Sequence, residues 1–561
     1  MIGLFQHPVI FLFFVWMVMP FVQTSTAQVA PGKYLVEFST KQGTPYSIDK
    51  PEDFLSQRAI NRRIRQQIQI TETDLPVNPL FIDSLQNLGF RILSRSRWFN
   101  SAVVQSGDSL LIDTLGKLSF VRSYLKVSGA GYQKSSGVDK YAGELQLNNI
   151  SSSHEDEMNS FYGKSFAQIK LHNGHYLHQQ GFTGKGMQIA LLDGNFNGVD
   201  RHPAFIPLHM NHRILGTRDF VELDNNVFSG YYHGMSVLSV IGGYIEGSLV
   251  GTAYDASFYL LRTEDESSEY RIEEENWIAG AEYADSAGAD VINSSLGYSW
   301  FTDAAQNYFY QDMNGVTARI SAAATLAFSK GVFVCTSAGN QGNTPWYYIT
   351  APADARNIYS VGATDLYGNF ALFSSAGPSY DRRIKPEGMA MGLNVICQKS
   401  DGSTGSGSGT SFASPIIAGS VACLWQKHPD AAASQIKEAI IQSSSYYDAP
   451  SGRMGYGIPD FKKADEILSV AESNSLNNNT PVMAYPNPFS NYFMVAFYTP
   501  DSTINITLHD LKGCVMYEKN YGSAKHLFLF VAPDFELHDG LYIMTVKGTR
   551  YYEKLKIIKR S

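Results

Sequence analysis

Between residues 163 and 470 the chain alternates short, continuously apolar runs with stretches of helical spacing. "MQIALLD" is followed by "HGMSVLSVIGG", "SFYLLRT", "ENWIAGAEYADSAGA", "DVINSSLG", "ARISAAATLAFSKG" and "VFVCTSAGN". A strand that is apolar on both faces must be covered on both faces. A helix between two such runs supplies the crossover that a parallel pair needs. The pattern predicts an α/β domain, a parallel sheet with helices on both sides. In such sheets, groups that act on ligands gather at the carboxyl ends of the strands. The residues just after each apolar run are therefore the ones to inspect.

Four polar residues hold such positions. Asp193 ends "MQIALLD", His233 opens "HGMSVLSVIGG", Asn340 ends "VFVCTSAGN", and Ser411 opens "SFASPIIAGSVACLW". Acyl transfer needs this set. A serine hydroxyl attacks a carbonyl only if a base takes its proton, and histidine suits that role near neutral pH. A carboxylate fixes the imidazole tautomer and stabilises the imidazolium. A side-chain amide can hold the developing oxyanion. Singly, each has a plain structural reading: Ser411 as an N-cap, Asn340 as a turn residue before Gly342, Asp193 in an Asx turn, His233 as a core histidine. The four together, in this order, point to chemistry.

The flanking motifs carry a resemblance. "HGMSVLSVIGG" resembles the histidine motif of the subtilase family, "SAGN" its oxyanion segment and "GTSFASPIIAG" its nucleophile motif. "DVINSSLGY" is similar to its substrate-binding segment and "GYGIPDFKKA" to the close of the domain. The order Asp, His, Ser is that of subtilisin. The resemblance implies Ser411 as nucleophile, His233 as base then acid, Asp193 as its orienter, and Asn340 as oxyanion donor with the Ser411 N–H beside it. It also implies that Ser295, Leu296 and Gly297 bind substrate as an added strand, that Ala338 and Gly339 line the pocket for the residue before the cut, and that calcium serves structurally. No organic cofactor is required, and the sequence assigns no metal ligands. Gly409 is expected to permit a tight backbone before Ser411, and Pro415 to fall in the first helical turn. The chain departs from the family at "DGN" after Asp193 and at Met235.

The flanks suggest further units. Residues 1–27 read as a secretory leader: "VIFLFFVWMVMPFV" is short for a membrane span, and Ser25 and Ala27 are small residues at a cleavage site. Residues 28–135 show a strand–helix–strand pattern and resemble, more loosely, a subtilase propeptide of α+β fold. Residues 136–162 form a polar linker suited to processing, 163–472 the subtilisin-like domain and 473–482 a second linker. Residues 483–561 contain strand-like runs separated by turns, as in a small β-sandwich. "YPNPF" with the late "GLYIMTV" and "EKLKIIKR" resembles the C-terminal sorting domain of the Bacteroidetes type IX secretion system. That implies secretion machinery as a partner, a secreted or surface-attached location, and no transmembrane helix in the mature chain.

Several other signals carry less. A net charge of −8 leaves no basic surplus for nucleic acid. Cys335, Cys397, Cys423 and Cys514 show no disulfide spacing and read as free thiols. The run Glu264 to Glu275 reads as an acidic cleft rim, a calcium site or a solvated charged loop. His172, His175 and His178 suggest zinc by spacing, but Gly174 interrupts them and a surface helix is expected. "GFTGKG" precedes a strand instead of following one, against a dinucleotide loop. The reading is a secreted serine endopeptidase acting on protein or peptide substrates. The alternative is a non-catalytic adhesin or pseudoenzyme on the same scaffold.

Overall fold

The computed structural model describes residues 32–128 and 157–477, and in the C-terminal part 482–485, 487–489, 493–497, 503–521, 528–531, 537–549 and 552–560. The leader and most of the first linker lie outside the described residues.

The first unit contains β1 (Gly32–Phe38), α1 (Gln57–Arg65), α2 (Pro79–Asn87), β2 (Arg91–Ser96), β3 (Ser101–Ser106), α3 (Ser109–Thr114) and β4 (Val121–Lys126). Its antiparallel sheet has the order β2-β3-β1-β4. Strand alternation divides the apolar residues between two faces. Val36, Phe38 and Val104 pack on Ile82, Leu85 and Ile112 from the helices. Leu35, Val103 and Val127 face the other way and meet Ile272 of the second unit.

The second unit opens with α4 (Glu157–Tyr162), α5 (Phe166–Lys170) and α6 (His175–Gln179). It continues through β5 (Gln188–Asp193), α7 (Ile206–Met210), β6 (Ile214–Asp219), α8 (His233–Gly242), the ribbon of β7 (Tyr244–Ile245) and β8 (Leu249–Val250), and β9 (Ser257–Arg262). Next come α9 (Ile272–Ala287), β10 (Val291–Ser294), α10 (Arg319–Ser329), β11 (Phe333–Ser337), β12 (Tyr359–Thr364) and β13 (Gly388–Met391). The ribbon of β14 (Val395–Gln398) and β15 (Thr404–Gly407), then α11 (Thr410–Lys427), α12 (Ala433–Ser443) and α13 (Phe461–Asn477), complete it.

The seven-stranded sheet has the order β13-β12-β11-β10-β5-β9-β6, and every pair is parallel. After β5 the chain builds one side of the sheet through β6 and β9, then crosses to build the other from β10. The switch lies between β5 and β10, where a crevice opens beyond the strand ends. Ile189, Ala190, Leu191 and Leu192 of β5 are all fully buried, as an all-apolar central strand requires. Helix α11 packs against β10, β11, β12, β13 and α8. Residues 410 to 425 of that helix are all buried, which explains its lack of a polar face.

The C-terminal unit has strands β16 (Val482–Tyr485), β17 (Phe493–Phe497), β18 (Ile504–His509), β19 (Val515–Tyr521), β20 (Phe528–Val531), β21 (Gly540–Gly548) and β22 (Tyr552–Lys559). Two antiparallel sheets, β16-β17-β20 and β19-β18-β21-β22, share one apolar cluster. This is the expected sandwich.

Three sequence expectations need correction. The second linker is not linker throughout: α13 continues to Asn477, and the first linker ends in helix α4. The three histidines do not lie on a surface helix. His172 is buried, with its Nε2 facing the Met389 carbonyl, and His178 is half-buried, with its Nδ1 against the Tyr162 hydroxyl. Burial brings both imidazoles down to about 4. They are structural wedges between the small helices and the main core. Among the described residues no helix is long and apolar enough to cross a membrane, and all four cysteines are unbridged.

Candidate active site

Asp193 is the last residue of β5 and His233 the first of α8, so the switch point brings them together. His233 Nδ1 lies 2.5 Å from Asp193 Oδ1, and both side chains are buried. A carboxylate only accepts, so Nδ1 carries the proton and Nε2 is the basic nitrogen of the neutral ring. Asp193 Oδ1 also accepts from the Gly194 N–H at 2.8 Å. Its Oδ2 is buried with no hydrogen-bond partner within the protein.

Ser411 is the second residue of α11. Its N–H has no acceptor in the first turn of its own helix, where the helix dipole is positive. Its Oγ donates to the Ser295 carbonyl oxygen at 3.3 Å. The Phe412 ring centre lies 6.3 Å from that of His233, which places the imidazole at this end of the helix. Asn340 lies just beyond β11. Its Oδ1 accepts from the Thr410 N–H at 2.8 Å and from Thr410 Oγ1 at 2.9 Å. Both bonds fix the amide orientation and leave its NH2 on the opposite side.

Pro415 is the sixth residue of α11, past the first turn where it was expected. A proline there deprives the Ser411 carbonyl of its helical N–H donor. The Ser295 hydroxyl supplies the donor instead, at 2.8 Å. Ser295 therefore exchanges hydrogen bonds with Ser411 in both directions. Gly409 is nearly fully extended, at φ 159° and ψ 157°, so its backbone is not the tight turn expected.

Leu296 is buried, and its carbonyl oxygen accepts from Ser337 Oγ at 3.2 Å. Ala338 is fully buried, and Gly339 has φ +105°, a conformation that favours glycine. The strips 295–297 and 338–340 thus flank Ser411. Of the departures from the family, Asn195 gives its backbone N–H and its Nδ2 to Glu266, which also binds Arg262. Met235 is fully buried in the core.

The acidic run is not a solvated loop. Glu274 is buried with both carboxylate oxygens on the Tyr308 hydroxyl, and burial raises it to about 7. Glu275 binds Arg319. Glu264, Glu269 and Glu273 each offer one carboxylate oxygen, and these three oxygens lie within 4.8 Å of one another, a grouping of hard oxygen donors that could hold a metal ion such as calcium. Glu264 also accepts from the Tyr298 hydroxyl.

The first unit covers α9 and α10 through charge. Arg62, Arg63 and Arg97 all reach the buried Asp285 on α9. Glu282 accepts from Ser96 Oγ and from the N–H groups of Arg97 and Trp98. Arg319 on α10 pairs with Glu37 of β1 and stacks on Phe99 at 4.4 Å. The basic spacing of α1 was visible in the sequence, but its acidic partner lies more than 220 residues away. Thr410 was also missed as a group that orients Asn340, although it stands next to Ser411 in "GTSFASPIIAG".

Comparison with known proteins agrees with this architecture. Residues 184–457 match the subtilase family model, residues 33–140 the peptidase S8 propeptide domain of Bacteroidota, and residues 483–560 a secretion system C-terminal sorting domain. Subtilisin E of Bacillus subtilis is 30% identical over 274 residues, which is 48% of this chain and 63% of that protein. Subtilisin Savinase of Lederbergia lenta is 30% identical over 264 residues, 47% of this chain and 85% of that one. The crystal structure of fervidolysin from Fervidobacterium pennivorans, described as a keratinolytic enzyme related to subtilisin, covers 93% of this chain and 71% of its own at TM-score 0.53 and 16% identity, a likeness of fold. On the family model, the Savinase match and the Asp–His pair at the switch point of a parallel sheet, the chain belongs to the subtilase family.

Proposed function

We propose that the chain is a serine endopeptidase that hydrolyses peptide bonds through an acyl-enzyme. The observation that carries this is the Asp193–His233 hydrogen bond set beside Ser411 and an Asn340 amide fixed by Thr410. Ser411 Oγ attacks the peptide carbonyl as His233 Nε2 takes its proton. Asp193 holds the ring and balances the imidazolium. The Asn340 NH2 and the Ser411 N–H hold the oxyanion. His233 then gives the proton to the leaving amine, and water cleaves the ester by the same steps reversed.

In this reading the first unit is a pro-domain removed within the polar linker, and the C-terminal unit addresses the chain to the secretion machinery for release or surface attachment. A leader at 1–27 begins that route. The reaction needs no cofactor. For the structural calcium implied by the family resemblance, Glu264, Glu269 and Glu273 are the residues that fit, and no step passes through it. The test is Ser411→Ala in the purified, exported protein. Wild type loses its pro-domain and reacts with a serine-directed phosphonate, and the variant does neither. Identical N-termini with no labelling in either would end the peptidase reading in favour of an adhesin or pseudoenzyme.

A further inference from the structure

A third segment crosses between the two strips that flank Ser411. The Thr350 N–H donates to the Ala338 carbonyl at 3.2 Å. Ala351 and Tyr298 exchange both backbone hydrogen bonds, at 2.8 and 3.1 Å. Thr350 is therefore held against both strips at once. A Cβ placed on Gly297 would meet Thr350 Oγ1 at 2.3 Å, and one on Gly339 would meet the same oxygen at 2.7 Å and Thr350 Cγ2 at 3.2 Å. The threonine side chain fills the space that two missing side chains leave. It is 2% exposed, and its hydroxyl has no hydrogen-bond partner within the protein.

We infer that Thr350 is a specificity-determining residue that restricts the position before the cleaved bond to small side chains, with serine favoured over alanine. This deepens the peptidase reading and rests on it. A carbonyl held between Ser411 Oγ and the Asn340 amide directs the side chain of its own residue between the 295–297 and 338–340 strips. Two glycines facing each other there would make a deep slot. Thr350 closes that slot from below with a methyl and a hydroxyl, so a phenyl or a leucyl group has no depth to enter. Its buried hydroxyl lacks a partner, and a substrate hydroxyl reaching the floor provides one. Neighbouring Ser375 Oγ, also close to Gly339, already accepts from the Gln341 N–H at 3.0 Å and is less free to serve.

The test uses the processed full chain and peptides that differ only in the residue before the cut: Ala, Ser, Leu or Phe. Wild type is expected to cleave the Ser and Ala peptides at least about 10-fold faster in kcat/KM than the Phe peptide, the discrimination a pocket wall can give. Thr350→Gly opens the floor and raises kcat/KM for Phe by about 10-fold or more relative to Ala. Thr350→Val keeps the shape, so it keeps the size exclusion and loses the preference for Ser over Ala. Should Thr350→Gly fail to fold, Thr350→Val and the wild-type series decide. Wild type that prefers Phe or Leu, or a Phe to Ala ratio unchanged in Thr350→Gly, overturns the inference while leaving the peptidase reading intact. A Ser to Ala ratio unchanged in Thr350→Val overturns the hydroxyl's role. No cleavage of any peptide and no phosphonate labelling of wild type removes the peptidase reading, and this inference with it.

Discussion

Asp193 and Asp285 are both fully buried carboxylates, yet their surroundings differ in kind. Asp285 faces three guanidinium groups, from Arg62, Arg63 and Arg97. Burial alone would raise its carboxyl, but the arginines outweigh it and hold it well below the usual range. Asp193 has one imidazole and one backbone N–H, and an oxygen to spare. Arginine does not give up its proton, so Asp285 is a permanent anchor. Histidine does, so Asp193 can meet a charge that comes and goes. The difference also lies in which unit supplies the compensation. All three arginines at Asp285 belong to the first unit, whereas His233 belongs with Asp193 to the second. Loss of the first unit strips Asp285 of its partners and leaves the Asp193–His233 pair intact.

The largest way to break the contrast is at Asp193. Asp193→Asn keeps the shape but favours the wrong imidazole tautomer, and kcat is expected to fall about 10,000-fold, as in other triads. Steady-state kinetics on any cleaved peptide check it. Asn340→Ala removes the proposed oxyanion donor and should lower kcat about 100- to 1,000-fold with KM nearly unchanged, a magnitude taken over from subtilisin. At the other aspartate, Arg63→Ala leaves part of a buried charge uncompensated and should weaken retention of the cut pro-domain by about 3 kcal/mol, roughly 100-fold. Size-exclusion chromatography of the processed protein would show the pro-domain separating, with peptide hydrolysis per active site unchanged.

Acidity sharpens the comparison further. Asp285 is pushed below its ordinary 3.8, so it stabilises the assembled pro-domain fully above that value and loses this contribution as pH falls towards its lowered value. The network at Asp285 should therefore hold from pH 8 down to about 4 and weaken only below. Glu274 has the opposite sign. Burial lifts it from 4.5 to about 7, so the native state keeps its proton and this contribution declines as pH rises through that window. Melting curves should show Glu274→Gln, which can still pair with Tyr308, losing less stability than wild type between pH 5 and pH 7. This is the smallest of the expected effects.

Much of the site was legible because each residue sits where a local pattern changes. Asp193 ends an apolar run, and His233 and Ser411 open apolar helices, so no long-range contact had to be guessed. Thr350 was not legible. It lies outside every apolar run that signals a strand end, and only the approach of residues 297 and 339 gives it a place. Pro415 was placed one turn too early because a proline reads as a helix start until the Ser295 hydroxyl is seen to replace the missing donor. The three histidines were read onto one surface helix, but His172 lies between two five-residue helices, and His178 sits in the second, which is too short for its periodicity to show which face is covered. The pairing of α1 with Asp285 depends on packing between two units, and separate charge patterns do not reveal which acidic run a basic helix meets.

The most direct test of the central claim is covalent labelling with a serine-directed phosphonate, followed by peptide mapping of the processed protein. The account predicts one adduct, on Ser411, absent from Ser411→Ala and strongly reduced in His233→Ala. Peptide hydrolysis that persists undiminished in Ser411→Ala, or labelling that maps to another residue, would contradict it.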